Sequence, residues 1–177
     1  MQAELIDDLV SFILRAKQAT YVGGGTRLLP YRLGSHDLQF IEGDWAYHDS
    51  YFGDSDFLGE ELVYYRGQVV WGMNYFGRII LPDMITSAEA GSIIKQSLSK
   101  MYQSGRFLGG FKYSLGKFIY TDTNDGDPKF FTGKEWIDIE GEIVYELVYH
   151  GGLMRSLLKE PGVNYRSLPG NQPRPRH

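Results

Sequence analysis

Apolar residues change period along this chain, and those changes divide it before any other property is considered. Leu5, Leu9, Phe12 and Ile13 recur at helical spacing, with Ile6, Val10 and Leu14 widening the stripe. That pattern predicts a helix over about residues 3–20. Gly23-Gly24-Gly25 closes it; the run follows a helix and leads into none, so it reads as a connection rather than an anion-holding loop. Alternating segments then predict strands over 37–42, 45–51, 60–66 and 68–76, turning at Glu42-Gly43-Asp44 and Arg66-Gly67. Thr86-Ser87-Ala88-Glu89 has the form of a capping box, so a second helix is expected from there to about Gln103, burying Ile93, Ile94, Leu98 and Met101. Four further strands are expected over 110–115, 117–123, 134–140 and 142–150, with turns at Leu115-Gly116-Lys117 and Glu140-Gly141. A short helix from Leu153 to Lys159 should stop at Pro161, and 161–177, rich in Pro, Gly and Arg, reads as a flexible tail.

The two alternating regions also resemble one another in sequence. Gly43 to Gly77 can be laid on Gly116 to Gly151 with one single-residue gap. Tyr47, Asp49, Gly53, Phe57, Gly59, Glu61 and Tyr75 then stand beside Tyr120, Asp122, Gly126, Phe131, Gly133, Glu135 and Tyr149. Glycines agree best, as expected where a backbone plan is duplicated. The expected fold class is therefore α+β: an internal duplication of a helix plus four-stranded antiparallel unit, related by a pseudo-twofold. A single globular domain over 1–160 would hold the halves, about 3–80 and 86–152, with a pocket near their seam.

Composition narrows the function classes. At 177 residues the chain has ample length for a core. A net charge of −4 gives no basic footprint for nucleic acid. The absence of cysteine removes disulfides, thiolate zinc sites and cysteine nucleophiles. No run has the length of a membrane span, and the acid-bearing amino terminus does not resemble a secretory signal, so a cytoplasmic protein is expected. Tyrosine outnumbers phenylalanine, 13 to 10, which suits pockets and interfaces as well as strand packing.

The densest run of functional side chains is EGDWAYHDSYFG, residues 42–53. On a strand, Trp45, Tyr47, Asp49 and Tyr51 share one face, so three aromatics would surround one carboxylate, a set that suits a flat or sugar-like ligand. Alternatively the aromatics are core and Asp49 accepts bonds in the turn that follows. Phe-x-Gly-x-Glu occurs twice, ending at Glu61 and Glu135, which could approach one another and share a proton, bind a divalent ion, or satisfy backbone donors beside the glycine. On the last strand of each half the faces differ: Gly72, Asn74 and Phe76 stand against Glu146, Val148 and His150. Asn74, Glu146 and His150 are accordingly expected to contribute specificity, although Glu146 and His150, about 13 Å apart on one strand, are too far for a direct dyad, and Arg78 with Arg66 and Lys112 could offset the acidic balance toward a phosphorylated ligand. His36, His48, His150 and His177 show no metal-site spacing, and no nucleophile elbow, Walker loop or dinucleotide fingerprint occurs.

The segments EGDWAYHDSYFG, FLGEELVYY, WGMNYFGR and YELVYHGGL resemble an uncharacterised bacterial family of domains of unknown function over roughly residues 5–153. In some of its members a similar domain follows a repressor-type helix-turn-helix. The resemblance implies a ligand-sensing or regulatory module, acting in trans where no DNA-binding domain precedes it, and implies no activity. The leading expectation is a non-enzymatic small-molecule-binding domain, sensing or sequestering a nucleotide-like or aromatic ligand. No cofactor, metal, nucleic acid or membrane is expected as partner, and a homodimer is. The alternatives are a carboxylate-dependent hydrolase or isomerase using Glu61, Glu135 or Glu146, and an interaction module presenting Tyr51, Phe52 and Tyr64.

Overall fold

Leu9, Phe12, Ile13 and Ala16 form the buried stripe of helix α1 (Gln2–Lys17), seen in a computed structural model that describes residues 2–154. Phe12 stacks on Trp45 with ring centroids 5.5 Å apart and lies 5.8 Å from Phe40, which fastens α1 to the sheet. The helix runs on into a π turn, Gln18–Val22, where the buried Thr20 hydroxyl donates to the Ala16 carbonyl at 2.7 Å. Helix α2 (Ser87–Gln103) starts at the expected capping box: Glu89 N–H donates to Thr86 Oγ1 at 3.2 Å, and Thr86 N–H donates to the Glu89 carboxylate at 2.9 Å.

The strands are β1 (Thr26–Arg27), β2 (His36–Glu42), β3 (Trp45–Gly53), β4 (Phe57–Tyr65) and β5 (Gln68–Ile79), then, after α2, β6 (Phe111–Leu115), β7 (Phe118–Asp127), β8 (Phe130–Ile139) and β9 (Glu142–Leu153). They form one antiparallel sheet in the order β1-β2-β3-β4-β5-β9-β8-β7-β6. The expected hairpin turns are present. Arg66 and Gly67 take φ of 51° and 82°, and Glu140 and Gly141 take 53° and 90°, the paired positive φ that lets a two-residue turn follow strand twist.

Two helix-plus-four-strand units were expected in an α+β fold; the described residues are instead mostly β, a single nine-stranded sheet with two α-helices. The cause is at β5 and β9, which run past their expected ends at 76 and 150 to Ile79 and Leu153. Each leaves one row of backbone donors and acceptors free after its hairpin partner, and the two rows pair from Trp71↔Leu153 to Ile79↔Tyr145. Leu153 therefore ends a strand rather than starting a helix, Met154 is outside any element, and 155–159 of that predicted helix and the tail 161–177 lie outside the described residues. Among the described residues no helix is long and apolar enough to cross a membrane.

The helices cover one sheet face. Its largest fully buried side chains include Tyr47, Trp71, Tyr120 and Tyr145, with Phe12 and Met101 from the helices. Two glycines on this face make room for rings. Gly59 lies opposite Tyr75 and Gly133 opposite Tyr149. A Cβ at Gly59 would come within 2.5 Å of the Tyr75 hydroxyl, and one at Gly133 within 2.1 Å of the Tyr149 ring. Gly133→Ala should therefore lower stability by about 1–3 kcal/mol through overpacking. Gly91→Ala, on α2 where a Cβ meets nothing within 4 Å, should raise it by about 0.5–1 kcal/mol. Urea denaturation midpoints compared at equal m-value check both signs.

Candidate functional site

Between the helices and the centre of the sheet lies a cavity of about 760 Å³, within the range of ligand pockets. Its two walls differ chemically. Helix α2 presents Ala90, Gly91, Ile94, Leu98 and Met101, joined by Tyr102. The sheet presents Asp49, Glu61, Asp122 and Glu135 among Tyr75, Tyr145 and Tyr149, and the end of α1 adds Lys17. These five ionisable side chains are all buried, none more than 7 % exposed.

Register explains why the acids meet. Asp49 on β3 lies opposite Glu61 on β4, and Asp122 on β7 lies opposite Glu135 on β8. Each acid has its own partners. Glu61 Oε1 accepts from Lys17 Nζ at 2.6 Å, and Oε2 also touches Nζ, off the line of a hydrogen bond. Glu135 accepts from the Tyr120 hydroxyl and from the Tyr145 hydroxyl at 2.9 Å. The Tyr75 ring lies over Gly59 and its hydroxyl donates to Asp49 Oδ1 at 2.7 Å. Tyr149 crosses Gly133 in the same way and donates to Asp122 Oδ1 at 2.7 Å.

Burial sets the protonation of these groups. Desolvation, then the neighbouring Glu61 charge, pushes Asp49 up to about 7, against the opposing pull of the Tyr75 bond and Lys17. Desolvation and the Glu135 charge push Asp122 up to about 7, opposed by Tyr149 and Lys17. Glu135 is also raised by desolvation, and Glu61 adds to the rise while its two tyrosine bonds and Lys17 oppose it. Tyr75, Tyr145 and Tyr149 are raised by burial and by these acids, so they stay protonated donors.

The expected site residues divide between the two sheet faces. Asp49, Tyr51, Glu61 and Glu135 line the cavity. Asp49 takes its bond from Tyr75 on β5 rather than from the turn after β3. Glu61 and Glu135 share the cavity but do not bond to one another, because β5 and β9 stand between their strands. Trp45 and Tyr47 face the same side and belong to its packing: Tyr47 is fully buried, and Trp45 lies between Phe12 and Tyr65. Asn74, Arg78, Glu146 and His150 are on the opposite face, where Arg78 and Lys134 both pair with Glu146 at 2.7 Å. Leu58, Phe76 and Val148 form an exposed apolar row beside them. Of the residues proposed for an interaction surface, Tyr51 lines the cavity and Phe52 lies beneath the Arg32 guanidinium, 4.8 Å away.

Lys17, Asp122, Tyr75, Tyr102, Tyr145 and Tyr149 were not among the expected site residues. Lys17 carried a readable signal, since it follows Ile13 by four positions on the apolar stripe of α1 and so had to be buried or turned. Asp122 and Tyr149 stand beside Asp49 and Tyr75 in the sequence alignment, and one site pointed to the other.

The family described as "Domain of unknown function (DUF5680)" matches residues 49–154, and the chain belongs to it. That segment runs from within β3 to the end of β9 and contains all four buried cavity acids, whereas Lys17 lies before it. Comparison with curated proteins and with solved structures found no match.

Two outcomes test this site. Lys17→Met strands the buried Glu61 carboxylate and should cost about 3–5 kcal/mol, most of it recovered in Lys17→Met/Glu61→Leu, as a double-mutant cycle in urea would read. Asp49 and Asp122 bind protons more tightly folded than unfolded, from an ordinary 3.8 up to about 7. Stability should therefore fall as pH rises from about 4 to 7 and level off above, and Asp49→Asn/Asp122→Asn should flatten that slope in thermal melts across the range.

Proposed function

We propose that this domain binds a small organic molecule in the cavity between α2 and the sheet, as a non-enzymatic sensing or sequestering module in the cytoplasm. One observation carries the reading: a core position that folding alone would fill with side chains holds about 760 Å³ of space, floored by buried acids. Cavities of this size lose dispersion contacts and cost stability, and buried acids add a desolvation cost. A ligand offsets both, since it supplies contacts to the apolar wall and partners to the polar floor. The helix-turn-helix proteins of the resembling family support a regulatory setting.

A second reading has support of its own. Asp49 and Asp122 are both pushed up to about 7, the range in which a carboxyl can give and take a proton at neutral pH, as a hydrolase or isomerase requires. The readings separate on turnover: a binding module releases its ligand chemically unchanged, whereas an enzyme converts it and loses that conversion in Asp49→Asn.

Native mass spectrometry of the purified protein, followed by denaturation and small-molecule analysis, tests the proposal. The expected result is an adduct of one molecule per chain, lost in Gly91→Phe, which puts a ring into the cavity from α2. Arg78→Ala/His150→Ala, on the opposite face, should keep it. The protein re-supplied with the released molecule at about 100 times its Kd should gain roughly 2.7 kcal/mol. Retention of the adduct by Gly91→Phe and its loss from the opposite-face variant would overturn the assignment.

A further inference from the structure

The charges lining the cavity do not balance, and the imbalance has a location. Lys17 is matched by Glu61. At the mouth, Arg27 and His36 are exposed and so is Asp54. Asp49, Asp122 and Glu135 remain, each at least nine-tenths buried and none in contact with a cation among the described residues. Asp49 receives one side-chain hydrogen bond, at Oδ1, and no side chain among the described residues donates to its Oδ2. Tyr102 on α2 is 6 % exposed and lines the same cavity, and its hydroxyl has no hydrogen-bond partner among the described residues. The floor thus combines unmatched acids with polar atoms whose hydrogen-bonding capacity is unspent.

Resting on the small-molecule reading above, we propose that the ligand is an amphipathic organic cation: an ammonium group on an apolar body. The ammonium sits on the sheet floor between the Asp49 and Asp122 sides, and the body lies against Ile94, Leu98 and Met101 of α2. An ammonium offers three donors and no acceptor, which suits carboxylates whose nearby hydroxyls already point their protons at them. The distance between the acids excludes the simpler cation, since no three acidic or histidine groups among the described residues converge closely enough to hold a metal ion. An organic cation spans the gap with its body.

Binding is coupled to protons. In the empty site the unmatched acids are neutralised by protons, and a cation displaces them. The groups facing Asp49 and Asp122 are Lys17 from α1, Tyr21 from the π turn, Tyr102 from α2, Glu61 from β4, Tyr75 from β5, Glu135 from β8 and Tyr149 from β9, and Asp37 on β2 adds its charge from the other sheet face. The tyrosines stay protonated, and release of one proton from a carboxyl titrating at about 7 makes a cation bind about tenfold tighter at pH 8 than at pH 6.

The test uses three probes of nearly one shape, phenethylamine, 2-phenylethanol and 3-phenylpropionate, with the intact chain. Isothermal titration at pH 6 and pH 8, in two buffers of different ionisation enthalpy, reads affinity and protons released. The expected result is phenethylamine binding at least tenfold tighter than the alcohol at pH 8, with close to one proton released at pH 6, little at pH 8, and affinity rising about tenfold between the two. His36→Gln should keep that rise, which removes the mouth histidine as its source. Asp49→Asn/Asp122→Asn should bring amine and alcohol together; a thermal melt confirms that the variant is folded, and if it is not, the single variants are compared. Alcohol or carboxylate binding as tightly as the amine, and lost in Gly91→Phe, would overturn the cation while leaving the cavity reading in place. Binding of the amine unaltered by Gly91→Phe, or no binding by any probe, would overturn the cation as well, and native mass spectrometry then decides the cavity reading separately.

Discussion

The ladder between β5 and β9 is the constraint from which the rest of the molecule follows. Neither strand is finished by its own hairpin; each has a bare edge facing inward, and burying an unpaired backbone edge is costly. Pairing them over Trp71↔Leu153 to Ile79↔Tyr145 produces one sheet from two runs of hairpins. It also fixes which residues meet. Tyr75 and Tyr149 become direct neighbours on the ladder, and from there they reach outward in opposite directions, Tyr75 to Asp49 and Tyr149 to Asp122. The cavity floor is therefore a property of the ladder, and neither hairpin run could build it alone.

Placing acids on that floor runs against ordinary core design. A carboxylate removed from water requires a cation or several donors, and failing these it keeps its proton. All three solutions occur side by side: Glu61 has Lys17, Glu135 has two tyrosine hydroxyls, and Asp49 and Asp122 titrate at about 7. Glycine makes this workable. With no side chain at 59 or 133, a tyrosine can lie flat across its own sheet and bring a hydroxyl to an acid two strands away.

Much of the local structure was legible in the sequence. Both helices, the capping box and the hairpin turns follow from period and turn chemistry, which depend on near neighbours. Strand ends were less legible, and with them the fold class. Phe57-Leu58-Gly59 and Phe130-Phe131-Thr132-Gly133 lie before the predicted starts of β4 and β8, because a glycine interrupts the alternation and its reason, a ring from another strand, is not local. The site was half legible for the same cause. Asp49, Glu61 and Glu135 stand out as acids within apolar strands, but Arg78, Glu146 and His150 stand out equally, and only pairing across β5 and β9 tells which face is covered. Tyr75 and Tyr149 looked like core residues because a tyrosine shows its hydroxyl's destination only in three dimensions.

Trp71 has a consequence of a different kind. Its indole stands on β5, stacks on Phe131 of β8 with centroids 5.7 Å apart, and donates from Nε1 to the Pro128 carbonyl at 3.0 Å. One chromophore thus touches both sides of the seam, and it is fully buried where Trp45 and Trp136 are only partly covered. The hairpins on either side close over a few residues, whereas the ladder joins segments separated by α2 and three strands, so loop-closure entropy places it late in folding. The emission of Trp71 is consequently an optical clock for that last event, built into the chain without a label.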